Sequence, residues 1–99
     1  MKKAQEFYAM AKGREAELHD LALDFYQKYI EYFEEEAKEG SFYGMIYGND
    51  IPEELRDVFD ELVIPLFENE GFTATEKESY PFLGEWSIDW KISWEKAYE

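Results

Sequence analysis

One stretch near the end of the chain alternates strictly between apolar and polar residues. From Glu85 to Trp94 the sequence reads EWSIDWKISW, with tryptophan or isoleucine at every even position and a polar residue at every odd one. Successive side chains of a β-strand point to opposite faces, so this period of two predicts a strand with one wholly apolar face. A slip of one residue would turn that face to water, so we expect a fixed register. We expect this strand to be the central or best-buried one, with the tryptophans packed in the core and one or two of them at its edge, Trp94 being the best candidate for partial exposure.

The segment before residue 48 predicts a helix followed by a strand. Apolar residues recur at steps of three and four from about 3 to 39, which is typical of one long helix, and Gly40 is a suitable residue to end it. The aromatic-rich segment Ser41–Tyr47 then predicts a short strand.

A second helix and a hairpin are predicted to follow. We expect a helix over residues 51–70, with Asp50 and Glu53 forming a capping box at its start and Pro65 kinking it or ending its regular part. Residues 72–79 predict a strand, which a loop over 80–84 joins to the tryptophan strand. The prediction is therefore a single domain over residues 1–99 of the α+β class. Its order is α-β-α-β-β, with two helices packed on one face of a three-stranded antiparallel sheet.

The composition is strongly acidic and lacks cysteine. Asp and Glu number 24 against 10 Lys and Arg, for a net charge of −14. A polyanion is repelled by nucleic acid and by anionic membranes, which disfavours both as direct partners and favours basic protein surfaces. The absence of cysteine excludes disulfides, thiolate chemistry and Cys-ligated metals. The start of the chain does not resemble a signal peptide and no apolar run could span a bilayer, so the expectation is a cytoplasmic protein.

The acids follow helical spacing rather than being scattered. One row is predicted on the first helix and one on the second; their members are Glu17, Asp20, Asp24, Glu31 and Glu35, and then Glu54, Asp57, Glu61 and Glu68. A further cluster, Glu34, Glu35, Glu36 and Glu39, crowds the negative end of the first helix dipole, where basic residues would be more stable. Selection for folding alone would not place acids there.

Residues typical of catalysis or metal binding are sparse. His19 is the single histidine, flanked by Leu18 and Asp20, and it reads as a partly exposed helix residue. The sequence lacks a nucleophile motif, a phosphate-binding glycine loop and a zinc or EF-hand pattern. We therefore expect neither an enzyme nor a bound cofactor or metal.

Three features carry a resemblance to a known class: the element order, the segment Lys-Glu-Gly-Ser-Phe-Tyr at residues 38–43 and the segment Ile-Ser-Trp at residues 92–94. In these features the chain resembles small acidic proteins encoded by phages and prophages. The resemblance covers residues 37 to 94. It implies a mobile-element origin, in a class that includes acidic inhibitors of host defence enzymes such as anti-CRISPR proteins, some of which mimic DNA. It assigns a role to no particular residue of this chain.

Three functional hypotheses follow. In the first, the acids mimic phosphates and block the nucleic-acid-binding surface of a nuclease or defence effector, since helical acids one or two turns apart, about 5 to 10 Å, approximate phosphate spacing. In the second, the chain is an immunity protein or antitoxin for one basic toxin; in the third, it is a phage structural or assembly component. Self-association as a homodimer stays open. The residues predicted to contact the partner are Glu31, Glu34, Glu35, Glu36, Glu39, Asp57, Glu61 and Glu68, with Tyr32 and Tyr43, and also Tyr26, as aromatic anchors.

Overall fold

The computed structural model of the chain describes residues 2–79 and 87–95. The predicted loop over 80–84, Trp86 and the end of the chain lie outside the described residues. The described elements are the helix α1 (Lys2–Lys38), the strand β1 (Tyr43–Ile46), a 3-10 turn (Gly48–Asp50), the short helices α2 (Glu53–Arg56), α3 (Phe59–Leu62) and α4 (Ile64–Asn69), and the strands β2 (Thr73–Ser79) and β3 (Ser87–Ser93). The predicted α+β class with a three-stranded antiparallel sheet is confirmed.

The tryptophan-rich strand is central, as its alternation predicts. The sheet order is β1-β3-β2 and both pairings are antiparallel. On one face of β3, Trp90 and Ile92 are buried at 8% and 0% exposure, whereas Ile88 at the far end of the strand is 42% exposed. Trp94 is half-buried and its indole Nε1 donates to the carbonyl of Ser41 at 2.8 Å. The strand is thus fixed by its neighbours on both sides and by a tryptophan at its end.

The first helix matches its prediction closely. It spans 37 residues, and Gly40 follows it with a positive φ of 100°, a conformation that glycine adopts without strain. In its second half, Ala22, Phe25 and Phe33 are buried in the core.

The second predicted helix is wrong in two respects. Residues 51–70 form three short helices, because Val58 leaves regular helical geometry and Pro65, in the first turn of a new helix, α4, has no N–H to bond the carbonyl of Glu61. The break before α4 agrees with the prediction that Pro65 kinks the helix or ends its regular part. The predicted capping box is also wrong. Asp50 belongs to the 3-10 turn, where its amide donates to the carbonyl of Tyr47 at 2.9 Å, and Pro52 takes the N-cap position of α2 without a side-chain hydrogen bond.

The core lies between the second half of α1, the three short helices and the Trp90/Ile92 side of the sheet. Phe33 packs against Phe67 and Trp94 with ring centroids 5.9 and 5.8 Å apart, and Phe59 packs on Trp90 at 5.8 Å. The residues that complete the buried cluster are Ala22, Phe25, Ile46, Ile51, Leu55, Val63, Ile64 and Ile92. Leu55, Val63, Phe67, Ile46 and Ile92 have less than 2% of their surface exposed.

Candidate partner-binding surface

A groove runs between the second half of α1 and the edge strand β1, and we call it the tyrosine groove. Its walls include Tyr32, Glu36, Tyr43, Met45 and Tyr47, and its volume is about 590 Å³. A smaller hollow of about 260 Å³ continues from it past Tyr32 and Tyr47 towards Lys28 and Asp50. Two of the predicted anchors, Tyr32 and Tyr43, therefore come together on one surface.

The groove exists because α1 approaches β1 closely. Gly44 lies between Tyr43 and Met45, and a Cβ atom at this position would collide with the ring of Phe33. The missing side chain lets Phe33 pack directly on the strand. The neighbouring side chains of β1, Tyr43 and Met45, alternate to the other face of the sheet.

Four large aromatic side chains in and beside the groove are exposed. The exposed fractions are 52% for Tyr32, 60% for Phe42, 51% for Tyr43 and 54% for Tyr47. Clusters of exposed apolar surface on small proteins commonly mark binding sites, and tyrosine is one of the residues enriched at interface hot spots. Phe42 and Tyr47 were not among the predicted anchors, since their closeness to Tyr32 depends on how the helix packs on the strand.

Two charged groups lie close to these rings. The Glu36 carboxylate, through a hydrogen bond with the Tyr32 hydroxyl and through its charge, raises the pKa of Tyr32 above its ordinary value of 10.0. Glu36 also accepts from the hydroxyl of Ser41 at 3.5 Å. The Lys91 ammonium lies 4.6 Å from the ring centroid of Tyr43, within the range of a cation–π interaction.

The outer backbone edge of β1 lies next to the groove. The amide of Trp94 donates to the carbonyl of Phe42 at 2.9 Å, which makes this pair a hydrogen-bonded one. Bonded pairs alternate along an antiparallel ladder, so the backbone groups of Tyr43 and Met45 point away from β3. Within the described residues, no backbone hydrogen bond joins this edge to another element. An extended segment of a partner could therefore add to this edge beside the aromatic rings.

Glu36 is half-buried and lines the groove. The other predicted acids of α1 are exposed and lie outside it. Glu31, Glu35 and Glu39 are spaced by four residues, about 6 Å per step along the helix axis. Lys38 partly neutralises the group, since its Nζ lies 3.9 Å from Glu34 and 3.4 Å from Glu35. A row of carboxylates thus follows the last two turns of the helix beside the tyrosine groove.

The predicted acidic row of the second helical segment does not exist as one helix face. Asp57 lies in the turn between α2 and α3, Glu61 lies in α3 and Glu68 in α4, so the periodicity that joined them is interrupted. All three are exposed. Asp57 lines a different groove of about 710 Å³, together with Asp60, Glu76 and Trp90.

Tyr26 is not an exposed anchor. Its ring packs edge-on against Phe67 with centroids 4.8 Å apart, and the side chain is half-buried. Burial, with a smaller contribution from the charge of Glu70, raises its pKa above 10.0. The expectation that its ring is exposed beside the acids was wrong, because its position on α1 faces α4.

Sites for other chemistry are limited in the part of the chain that the structure describes. His19 is exposed and its Nε2 lies 3.9 Å from a carboxylate oxygen of Glu15. Among residues 2–79 and 87–95, no three His, Cys, Asp or Glu side chains are grouped so that they could hold a metal ion. Within the same residues, no helix combines the length and apolarity that crossing a membrane requires.

Comparisons with protein-family models, with curated proteins and with solved structures found no match. The resemblance to phage proteins therefore rests on the sequence pattern alone.

Proposed function

We propose that this protein is an inhibitor that binds the basic, nucleic-acid-binding surface of a nuclease or defence effector. The carboxylates at the end of α1 face the basic surface, and the tyrosine groove supplies the apolar anchors. The observation that carries the proposal is the placement of exposed acids and exposed tyrosines side by side. Opposite charges give fast, salt-sensitive association, and buried aromatic rings give the complex a long lifetime.

The position of the acids supports a role in binding over a role in folding. Glu34, Glu35, Glu36 and Glu39 stand at the negative end of a 37-residue helix, where each negative charge costs stability. Only Lys38 is basic in the last turn. A partner with arginines or lysines facing these acids would relieve the repulsion. Binding would then offset the stability that the acids cost the free protein.

An immunity protein or antitoxin for a single toxin is the second candidate, and the tyrosine groove favours it. Phosphate mimicry needs only charge at the right spacing, whereas a shaped groove with an open strand edge discriminates between partners. The two candidates differ in competition with DNA, because a mimic occupies the surface that DNA would occupy.

The experiment begins with capture of partners from host lysate by the tagged protein, elution with rising salt and identification by mass spectrometry. The purified partner is then titrated with the double variant E31K/E35K and, as a matched control, E53K/E54K, which changes the same charge on exposed residues of α2. We expect E31K/E35K to weaken binding at least about tenfold and E53K/E54K to weaken it much less. Equal losses for both variants would overturn the proposed site.

Competition and anchor variants complete the test. Excess duplex DNA displaces the protein if it is a nucleic-acid mimic and leaves it bound if it neutralises a toxin elsewhere. Y43A and Y32A are expected to raise the dissociation rate, as truncated hot-spot residues do. If the captured partners resist high salt and none of these variants weakens their binding, a structural or assembly role replaces the proposal.

A further inference from the structure

The first half of α1 extends beyond the body of the protein, and we call residues 2–17 the arm. Side chains 3–17 are all exposed, whereas Leu18 and Leu21 already pack against the core and Ala22 is buried. The arm rises about 24 Å along its axis, since each helical residue adds 1.5 Å. Its large apolar side chains include Phe7, Tyr8 and Met10, which are 64%, 66% and 67% exposed.

The apolar side of the arm continues the face that α1 buries against its own core. Steps of three and four lead backwards from Phe25 through Ala22 to Leu18, and from Ala11 through Phe7 to Ala4, so these residues share one side of the helix. The step of seven between Leu18 and Ala11 passes Arg14, which interrupts this apolar side once. The side of α1 that covers the core therefore continues past the core into the arm. No part of the described chain covers it there.

The arm is poorly suited to stand alone. It contains Gly13, which costs about 1 kcal/mol relative to alanine inside a helix. Its first turn holds no acidic residue, although the positive end of the helix dipole favours acids there. Most helical stability in proteins comes from packing of an apolar face, so an arm of this composition gains stability when a partner helix covers it.

The charge of the arm is opposite to that of the rest of the chain. Residues 2–17 carry Lys2, Lys3, Lys12 and Arg14 against Glu6, Glu15 and Glu17, a net charge of +1, while the whole protein carries −14. A second copy of this chain supplies the acidic complement directly. Lys2 and Lys3 stand at the tip of the arm, and Glu15, Glu17 and Asp20 stand at its base, so an antiparallel arrangement brings these acids to the tip of the other arm.

We infer that two copies of this protein pair through their arms as an antiparallel helical dimer. In the register that brings the apolar sides together, Phe7 packs opposite Ala11 of the second copy, and Ala11 opposite its Phe7. Lys3 then lies beside Glu17 of the second copy on one flank, and Met10 meets Met10 at the two-fold axis. The small alanines admit the phenylalanines, and each charge pair occurs twice by symmetry.

The dimer leaves the proposed function intact. The acids and the tyrosine groove lie at the other end of α1, so a dimer presents two such surfaces facing away from each other. Bivalence of this kind raises the apparent affinity for a partner that is itself dimeric. Dimerisation is measured without any partner, so its failure and the failure of the proposed function are distinguishable.

The first test compares A11E with A9E by sedimentation equilibrium. Both variants place the same residue in the arm, but a separation of two residues puts position 9 on nearly the opposite side of the helix from position 11. We expect the parent chain to dimerise, A11E to raise the dimer dissociation constant by more than about tenfold, and A9E to leave it nearly unchanged. A parent chain that stays monomeric up to about 1 mM, or equal effects of the two variants, would overturn the inference.

The second test reverses the charges of the flank. K3E places an acid opposite Glu17 of the second copy and is expected to weaken the dimer about fivefold, while K3E/E17K restores the attraction and recovers most of the loss. The effects of the two substitutions within a single helix differ from this loss and recovery. K3E improves the interaction with the helix dipole, whereas E17K removes the pair between Arg14 and Glu17, 3.2 Å apart. If K3E/E17K dimerises more weakly than both the parent chain and K3E, the antiparallel register is wrong.

Discussion

The two halves of α1 share one backbone helix and almost nothing else. From residue 18 onward the helix buries Ala22, Phe25 and Phe33 against the sheet and the short helices, whereas side chains 3–17 remain in water. The packed half carries most of the acids, and the arm is net basic. The difference shows that one amphipathic pattern can serve two purposes: the same apolar side is a core in one half and an open surface in the other.

Both ends of this helix also carry charges that its dipole disfavours. Lysines stand at the positive end and glutamates at the negative end. In the packed half, tertiary contacts offset that cost. In the arm nothing in the described chain does so, which is why we assign the arm to intermolecular contact.

The largest predicted difference between the halves comes from the same substitution at two phenylalanines. F33A removes a ring that is 2% exposed and lies against Tyr29, Phe67 and Trp94, so we expect it to lower the free energy of unfolding by about 3–5 kcal/mol. F7A removes a ring that is 64% exposed and is expected to change it by less than about 0.5 kcal/mol.

Urea unfolding monitored by circular dichroism measures both values, at a protein concentration low enough to keep the chain monomeric. If F33A proves too unstable to purify, F33L keeps the test quantitative. A loss for F7A as large as that for F33A would show that the arm packs on its own body.

Two glycines of opposite environment provide the next comparison. At Gly44 an added Cβ collides with the Phe33 ring, so G44A is expected to cost about 1–3 kcal/mol and to push α1 away from β1. At Gly13 nothing lies within 4 Å of an added Cβ, so G13A is expected to raise the helix content of the arm, with a gain of up to about 1 kcal/mol. Thermal unfolding and the ellipticity at 222 nm distinguish the two signs, and a stabilising G44A would contradict the proposed packing.

Much of this fold could be predicted from local patterns. The strict alternation around Trp90 predicted the central strand, and the periodicity up to Ala37 followed by Gly40 predicted a long helix and its end. These features succeed because each segment carries its own period and its own stop signal. The α+β class followed from their order.

The second helical segment and the tyrosine groove could not be predicted in the same way. Local signals placed Asp50 as a cap and extended one helix through Val58 and Val63. The buried Leu55, Phe59 and Val63 keep the four-residue spacing of a single helix, so the apolar pattern gave no sign of the interruptions between them. The tyrosine groove depends on Phe33 lying on Gly44, which is a contact between distant parts of the chain. Tyr32 and Tyr43 were predicted as anchors individually, while Tyr47 acquires its place only through that contact.

Alkaline pH tests the packed half through its tyrosines. Burial, and to a smaller extent the charge of Asp50, raises the pKa of Tyr29 above 10.0. The unfolded chain therefore releases this proton at lower pH than the folded one. The stabilising contribution is complete below pH 10 and decreases as the pH rises from 10 towards the higher pKa of the folded state.

We expect the urea midpoint of the parent chain to fall above about pH 10, and that of Y29F to fall less steeply, because phenylalanine has no proton to lose. Y26F is expected to act in the same direction, since burial also raises the pKa of Tyr26. A Y29F curve parallel to that of the parent would show that Tyr29 ionises equally well in both states.

The smallest effects are expected at the two ends of α1. E39K, just after the last helical residue, and K3E, in the first turn, each place a charge that the dipole favours, and each is expected to add about 0.3–1 kcal/mol to monomer stability. The sites are far apart, so the two gains should add in the double variant. Urea unfolding at low and high salt checks this, because salt screens interactions with the dipole.

If both variants become more stable while E39K loses partner binding and K3E loses dimerisation, the native charges at both ends of the helix serve binding at the expense of stability. If E39K becomes more stable and binds its partner unchanged, the acidic end of α1 is only a solvated surface, and the tyrosine groove alone would have to account for the interaction.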